Sequence, residues 1–266
     1  MKILIVGCGW LGQQLAVQLQ ADGHQVIATR RTAEALGSLP AAVEGVVLDL
    51  LLPPDFAALK PLFSGAVVIC AIAPGRQTAG SNYVVALQQL AALAVAAGSK
   101  QLIHFSSSGI YQGLTGIVDE TASLLTADDR VALLLQGEQA LQQELPCLTL
   151  RLAGLMGPGR HPGRFTAGKQ LADPDGPVNM LHSRDLIAAV QQLLAALPCS
   201  ETYNLSSPET ESRADFYQVA YRLAGVEPVG FNQQAAARKV VSTKFCHAFG
   251  YSYRFALASA ALAYCD

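Results

Sequence analysis

Three glycines near the start of the chain have the types and spacing needed to hold a phosphate group. Gly7, Gly9 and Gly12 follow an apolar run and precede leucines at helical spacing, which predicts a strand, a tight turn and a helix. The first glycine permits the turn, the second lets the backbone approach a pyrophosphate, and the third lets the helix pack on the strand. Trp10 and Leu11 would open the helix, whose N-terminus offers N–H groups and a positive dipole end. The pattern predicts a dinucleotide site, and a glycine-rich turn without a ligand is the alternative.

Two arginines follow the second predicted strand, residues 25–29, and they bear on the choice of cofactor. An acidic residue about 20 positions beyond the glycines would bind the ribose hydroxyls of NAD, whereas an arginine suits the 2′-phosphate of NADP. Arg30 and Arg31 stand there, and no acid does. The sequence therefore predicts NADP as the cofactor, with NAD as the second choice and a solvated basic turn as the alternative to either.

A serine-rich loop follows the fifth predicted strand, residues 101–105, and runs from Ser106 to Tyr111. Because ligands lie at the carboxyl ends of the strands in open α/β sheets, we expect its hydroxyl groups to face the cofactor. A plain surface loop is the alternative. His104 lies inside the strand itself, and we predict that it is packed in the core.

A glycine- and proline-rich segment, residues 153–178, is too long for an ordinary connection between two elements. Its basic side chains are those of Arg160, His161, Arg164 and Lys169. Arginine donates paired hydrogen bonds to phosphate and carboxylate groups. The segment is predicted to lack regular structure and to close over an anionic small-molecule substrate, and a mobile solvated loop is the alternative.

The elements that would position these residues alternate between strands and helices. The other predicted strands are 46–50, 66–71, 147–151 and 201–205, and the predicted helices are 83–97, 128–145, 183–197 and 216–223. This alternation predicts an α/β protein with a Rossmann doubly wound parallel sheet. Residues 1–155 are predicted to form the NAD(P)-binding domain, with 178–206 returning to it, and residues 156–177 and 207–266 to form a smaller C-terminal substrate lobe.

The composition argues against several classes of function. The balance of 18 Lys and Arg against 20 Asp and Glu gives no broad field that would attract nucleic acid or an anionic membrane. No apolar run reaches the roughly 20 residues of a membrane span, and the first strand does not resemble a signal peptide, so a cytoplasmic location is expected. The six cysteines are scattered without metal-ligand spacing, so no metal site is expected. A homo-oligomer is left open.

In their order along the chain, these motifs resemble those of an extended, atypical short-chain dehydrogenase/reductase of the NAD-dependent epimerase/dehydratase family. The resemblance covers most of the chain, although the glycine spacing departs from the G-x-x-G-x-x-G more usual there. It implies that Asp49 and Leu50 lie at the adenine and that Ala71 and Ala73 border the cofactor. The remaining matches are the Ser-Ser-Ser-x-x-Tyr loop, Arg151, and Gly157 with Pro158.

The chemistry implied by the resemblance is hydride transfer assisted by a Tyr-x-x-x-Lys pair, in which the lysine lowers the pKa of the tyrosine. This sequence lacks the pair. When Gly137–Gln139 is aligned with the acidic end of the family's helix, Arg130 takes the tyrosine position and Leu134 the lysine position, and neither can act as the base or activate one. Ser107 matches the substrate-orienting serine and Tyr111 survives as a candidate acid or base, so these two are the predicted catalytic residues.

Three functions are consistent with these residues. The first is an NAD(P)-dependent oxidoreductase or epimerase acting on a sugar-like or nucleotide-linked substrate. The second is a non-catalytic NADP(H)-binding sensor or interaction protein that has lost the catalytic pair. The third, a hydroxyacid-type dehydrogenase, would need a catalytic Lys or His on a downstream helix and does not explain the serine-rich loop. Whether the protein is an enzyme stays open at this point.

Overall fold

Strands and helices alternate in the computed structural model, which describes residues 1–75, 78–143, 145–232 and 237–266. The strands are β1 (Lys2–Val6), β2 (Gln25–Arg30), β3 (Glu44–Val47), β4 (Val67–Cys70), β5 (Gln101–Ser107), β6 (Gly116–Val118), β7 (Cys147–Leu152), β8 (Gly154–Met156), β9 (Leu171–Ala172), β10 (Met180–His182), β11 (Thr202–Leu205), β12 (Phe231–Asn232) and β13 (Arg238–Val240). The helices are α1 (Trp10–Ala21), α2 (Ala33–Leu36), α3 (Phe56–Phe63), α4 (Tyr83–Ala96), α5 (Asp129–Leu141), α6 (Pro162–Thr166), α7 (Ser183–Leu194), α8 (Arg213–Ala224) and α9 (Thr243–Phe249), with 3-10 turns at Ser108–Tyr111 and Ser259–Tyr264. None of the helices in these ranges is long and apolar enough to cross a membrane.

Seven strands form the central sheet in the order β11-β7-β5-β4-β1-β2-β3. The register places Ile5 between Ala28 of β2 and Ile69 of β4, and both of these pairings are parallel. The pairings of β2 with β3 and of β4 with β5 are also parallel. The predicted α/β doubly wound sheet is confirmed. Because the strand order reverses where β4 lies beside β1, a ligand crevice is expected at the carboxyl ends of these two strands.

The first of two compact units contains residues 1–110, 126–150 and 193–202. Strand β4 is buried along its whole length, as a central parallel strand covered on both faces should be. The core of this unit is built from apolar side chains of the sheet, α3 and α4, among them Leu4, Val68, Phe63, Leu87 and Leu90.

The second compact unit contains residues 111–125, 151–192 and 203–266. Its core includes Met156, Phe216, Phe255 and Leu262, all of them buried. Helix α8 is closed at both ends by local chemistry, since the Ser212 hydroxyl accepts the N–H of Asp215 and Gly225 ends the helix in the left-handed conformation.

Helices α4 and α5 approach each other closely because a glycine lies between them. A Cβ atom on Gly137 would lie 2.5 Å from Cε1 of Tyr83 and 3.0 Å from Cδ1 of Leu87. The start of α5 is fixed by Asp128, whose carboxylate accepts the N–H groups of Arg130 at 2.8 Å and Val131 at 3.1 Å. The position of Arg130 is therefore set by a helix cap and by tight interhelical packing.

The expectation that the glycine- and proline-rich segment lacks regular structure is wrong. It contains strands β8 and β9 and helix α6. Pro162 occupies the first turn of α6, where its missing N–H costs nothing. Gly163 is required by packing, because a Cβ there would lie 2.5 Å from the carbonyl oxygen of Ala220 on α8. Gly163 therefore allows α6 to approach α8 closely and is not needed for flexibility.

Candidate functional site

The three glycines of the turn differ in what surrounds them. Gly7 and Gly12 are required by close packing, whereas Gly9 leaves room for a ligand. Gly7 has a φ of +82°, and a Cβ there would lie 2.9 Å from Cγ1 of Ile72. A Cβ on Gly12 would lie 3.1 Å from Sγ of Cys8. At Gly9, by contrast, the nearest atom outside its chain neighbours would be Nη1 of Arg30 at 3.8 Å. The space beside Gly9 is the space that a pyrophosphate needs.

Helix α1 begins directly behind this space, at Trp10. Its N-cap is Gly9, which has no side chain that could accept the first-turn N–H groups. The helix N-terminus can therefore bind an anion through its backbone and its dipole. Burial raises the pKa of the Cys8 thiol in the turn to about 11, so this cysteine is neutral and serves as a small packing residue.

Arg30 lies at the end of β2 and reaches the glycine turn. Its Nη1 donates a hydrogen bond to the carbonyl oxygen of Cys8 at 2.6 Å. Its Nε is buried and has no hydrogen-bond partner within the described part of the chain, which is costly unless a bound group supplies the acceptor. Arg31 is exposed, and the next residue, Thr32, caps α2 by accepting the N–H of Ala35. Arg30 is thus placed to meet an anion beside Gly9.

The other predicted cofactor residues lie in the turns after β3 and β4. Asp49 is partly buried, and its carboxylate accepts the N–H of Leu51 at 3.0 Å. Leu50 is buried in the core. Ala71 donates its N–H to Val6 at 2.8 Å and so extends the pairing of β1 with β4, while Ala73 is exposed. These turns stand at the carboxyl edge of the sheet, and the cradle at Gly9 with the buried Nε of Arg30 fits a dinucleotide.

A family model described as NAD(P)H-binding matches residues 7–190, which include the glycine turn and both edges of this crevice. The chain belongs to this family. It is an NAD(P)-binding protein of the extended short-chain dehydrogenase/reductase type, as the order of its motifs predicts. The match does not distinguish NADP from NAD.

Known proteins resemble this chain over nearly its whole length. Protein YeeZ of Escherichia coli K12 is 33% identical over 96% of both chains. A structure from Methylobacillus flagellatus, assigned to the NAD-dependent epimerase/dehydratases, is 25% identical with a TM-score of 0.78, covering 97% of this chain and 95% of that one. MoeE5, solved with UDP-glucose and NAD, shares the fold at 20% identity and a TM-score of 0.82, covering 100% of this chain and 97% of its own.

Ser107 ends β5 at the carboxyl edge of the sheet and is partly exposed. Its Oγ accepts the N–H of Gly109 at 3.0 Å, so the hydroxyl keeps its own proton to donate. Its neighbour Ser106 is buried and donates to Oε1 of Glu138 at 2.6 Å. Of the two serines, Ser107 is therefore the one available to a ligand, as the sequence predicts, and its catalytic role stays a prediction.

Tyr111, the other predicted catalytic residue, is fully buried in the second unit. Its hydroxyl donates to Oδ1 of Asn204 at 2.8 Å and accepts from Nη1 of Arg151 at 2.9 Å. Burial raises the pKa of Tyr111, more than the Arg151 charge lowers it. These contacts are typical of a structural tyrosine and do not favour a role as acid or base. Sequence reasoning missed Asn204, because 93 residues separate it from Tyr111.

Arg130 reaches the loop after β4, where its Nη1 donates to the carbonyl oxygen of Gly75 at 2.7 Å. Leu134, one turn further along α5, is fully buried. It lies against the turn after β5, since a Cβ on Gly109 would be 3.5 Å from its Cδ1. The placement of Arg130 and Leu134 at the family's tyrosine and lysine positions stays a prediction, and Arg130 is a candidate site residue to which the sequence assigns no task.

Tyr83 and His104 form a buried polar pair in the first unit. Nε2 of His104 and the hydroxyl of Tyr83 are 3.0 Å apart, and Nδ1 of His104 has no hydrogen-bond partner among the described residues. Burial lowers the pKa of His104 to about 4, so the ring is neutral at neutral pH. The prediction that His104 is packed in the core is confirmed.

The basic residues of the 153–178 segment differ widely in their surroundings. His161 is buried and caps α6, with Nδ1 accepting the N–H of Gly163 at 3.1 Å. Burial also lowers its pKa, so His161 adds no positive charge at neutral pH, contrary to the expectation from sequence. Arg164 pairs with Asp266 at 2.7 Å, Lys169 donates to the Phe165 carbonyl, and Arg160 is exposed. Two exposed arginines therefore remain as candidates for binding an anion.

Proposed function

We propose that this protein is an NADP(H)-preferring oxidoreductase or epimerase that acts on a sugar-like or nucleotide-linked substrate without the usual Tyr-x-x-x-Lys pair. The position of Arg30 carries this proposal. Its guanidinium is fixed beside the glycine turn by the hydrogen bond to Cys8, and its buried Nε lacks an acceptor in the described chain. A 2′-phosphate would supply that acceptor in a charge-assisted hydrogen bond.

In such an enzyme the arginines after β2, the N-terminus of α1 and Ser107 would each have a separate task. The bound cofactor would supply or accept a hydride. Arg30 and the exposed Arg31 would hold its 2′-phosphate, and the N-terminus of α1 would hold its pyrophosphate. Ser107 would donate a hydrogen bond from its hydroxyl to an oxygen of the substrate, because its Oγ already accepts from Gly109. Ser107 is then the side chain that orients the reacting group.

A nucleotide-linked sugar as substrate is supported by two observations. Arg160 and Arg164 are exposed on the segment that the sequence assigns to the substrate, and arginine binds phosphate in a planar, two-point geometry. MoeE5, which shares the fold, was solved with UDP-glucose and NAD. The ion pair of Arg164 with Asp266 joins two half-exposed side chains, so a phosphate group can displace it at little cost.

Turnover of NADPH tests the enzyme directly. The full chain is incubated with NADPH and a panel of carbonyl compounds and nucleotide sugars, while oxidation is followed by absorbance. We expect turnover with at least one member and a loss of about tenfold to a hundredfold in kcat for Ser107→Ala, with NADPH affinity unchanged. Turnover that is equal in Ser107→Ala contradicts the assigned task of Ser107.

A non-catalytic NADP(H)-binding sensor is the second candidate. It is favoured by the buried, apolar Leu134 and by Tyr111, whose hydroxyl is engaged by Arg151 and Asn204. Tight NADPH binding without turnover across the panel supports the sensor. Failure to bind any dinucleotide contradicts both candidates.

A further inference from the structure

The carboxyl edge of the sheet in the first unit is divided between two arginines. Arg30 stands at the end of β2, next to the glycine turn after β1. In a doubly wound sheet the adenosine half of a dinucleotide lies over the strands on this side of the pyrophosphate site. The carboxyl ends of β4 and β5 on the other side are therefore left for the nicotinamide half.

Arg130 is held at this second edge by one hydrogen bond of its own and by the packing of the helix that carries it. Its Nη1 donates to the carbonyl oxygen of Gly75, in the loop that follows β4. Leu134, on the same face of α5 one helical turn later, lies against Gly109 in the turn that follows β5. Helix α5 therefore spans the ends of both strands, and the side chain of Arg130 is partly exposed there.

The positive charge at this position is permanent, and the carboxylates nearest to it along the chain are those of Asp128, Asp129 and Glu138 on the same helix. A guanidinium in a protein carries a positive charge. The carboxylate of Asp128 is directed to the N–H groups of Arg130 and Val131, and Asp129 is exposed. Glu138 is buried and accepts from Ser106. The hydroxyl of Tyr83 stays neutral, because burial raises its pKa.

We infer that Arg130 makes this protein bind the reduced dinucleotide, NADPH, more tightly than the oxidised form, NADP⁺. The nicotinamide ring carries a positive charge when oxidised and none when reduced. A guanidinium at the nicotinamide half therefore repels one form and leaves the other unaffected. The inference rests on the proposed use of NADP(H), but it makes no use of the substrate.

The expected preference follows from the Coulomb energy of two partly solvated charges. At an effective dielectric constant of about 20, two unit charges about 12 Å apart change an affinity roughly tenfold. A tenfold preference for the reduced form corresponds to a shift of about 30 mV in the potential of the bound two-electron couple. The shift is towards a more positive potential, so bound NADPH is a slightly weaker hydride donor than free NADPH.

The test compares dissociation constants for NADPH and NADP⁺ by calorimetry in four proteins. The full-length parent is expected to bind NADPH about tenfold more tightly, and Arg130→Gln to lose most of that ratio through tighter binding of NADP⁺. Arg130→Lys keeps the charge and is expected to keep the ratio. Lys100→Gln removes a positive charge immediately before β5, at the opposite edge of the sheet, and is expected to leave the ratio unchanged.

The outcomes distinguish a failure of this inference from a failure of the proposed cofactor. Equal affinities of the parent for the two forms overturn the inference, and so does an Arg130→Gln variant that weakens both forms equally, which is the result expected if Arg130 only anchors the Gly75 loop. Loss of the ratio in Arg130→Lys also overturns it. If the parent binds neither form, the proposed cofactor itself fails, whereas a preference for the reduced form without turnover leaves the inference standing for a sensor.

Discussion

The two edges of the ligand crevice carry one arginine each, and they are built in opposite ways. Arg30 comes from the strand next to the glycine turn and donates to Cys8 at 2.6 Å. Arg130 comes from a helix and donates to Gly75 at 2.7 Å. The turn beside Arg30 leaves open space at Gly9, whereas the strand β5, against which the helix of Arg130 packs, carries the buried polar residues His104 and Ser106. The first edge leaves open space at its glycine turn, whereas the helix that carries Arg130 is closely packed at Gly137.

Filling the open space at Gly9 is expected to have the largest effect on the difference between the two edges. Gly9→Val is expected to weaken NADPH binding more than a hundredfold, because the side chain takes the space of the pyrophosphate. The fold should survive, since the nearest atom to a Cβ would be 3.8 Å away. Calorimetry gives the affinity and circular dichroism checks the fold. A folded variant that binds like the parent would show that the turn is not the site.

Acid should affect the second edge selectively, through His104. Its pKa lies near 4 in the folded protein against 6.5 for an unperturbed histidine, so between these values the unfolded chain binds a proton that the folded chain excludes. The free energy of unfolding is therefore expected to fall by about 3 kcal/mol as the pH drops from 6.5 to 4.

The control for this prediction is His104→Gln, which cannot titrate. Urea denaturation at several pH values should give a shallower pH dependence for the variant than for the parent, because the carboxylates common to both contribute equally. Parallel curves for the two proteins would show that His104 does not lower acid stability.

The support beneath Arg130 can be loosened by crowding α4 against α5. Gly137→Ala places a methyl group 2.5 Å from Cε1 of Tyr83, which is expected to cost about 1 to 3 kcal/mol of unfolding free energy. Ala132→Gly, at a partly exposed position of α5, serves as the control that gauges helix propensity alone. Thermal denaturation measures both, and an unchanged midpoint in Gly137→Ala contradicts the tight packing.

The smallest expected effect concerns the anion-binding candidates outside both edges. Arg164→Ala is expected to weaken binding of a nucleotide sugar by about 1 to 2 kcal/mol, with NADPH affinity unchanged. Asp266→Asn removes the competing carboxylate at 2.7 Å and should strengthen the same binding slightly. Titration with UDP and UDP-glucose measures both. If neither variant changes affinity for these ligands, Arg164 does not contact the substrate.

Local signals in the sequence were enough to predict the first edge. The glycine turn, the β2 strand and the arginines that follow it lie within about thirty residues of one another, and glycine and proline punctuate the elements clearly. The sequence also predicts the buried strand β4 from its apolar run and the long helix α4 from its alanine- and leucine-rich stretch. The doubly wound sheet is predicted from the alternation of strands and helices, because parallel crossovers allow few alternatives.

The second edge depends on contacts between distant parts of the chain, which no local pattern contains. Arg130 meets Gly75 across 55 residues, and Tyr83 meets His104 across 21. The sequence predicts a loop where α6 lies, because Pro162 and Gly163 normally break helices, although Pro is favoured in a first helical turn. Only the packing against Ala220 explains why a glycine stands there.

The central claim is that Arg30 binds the 2′-phosphate of NADP(H) beside the glycine turn. One calorimetric comparison tests this claim most directly. The parent is titrated with NADPH and with NADH, and so is a variant carrying Arg30→Ala and Arg31→Ala. A charge-assisted contact of about 1.5 to 3 kcal/mol predicts at least a tenfold preference of the parent for NADPH, and its loss in the variant. Equal dissociation constants for the two cofactors in the parent, or a preference that persists in the variant, would contradict the account.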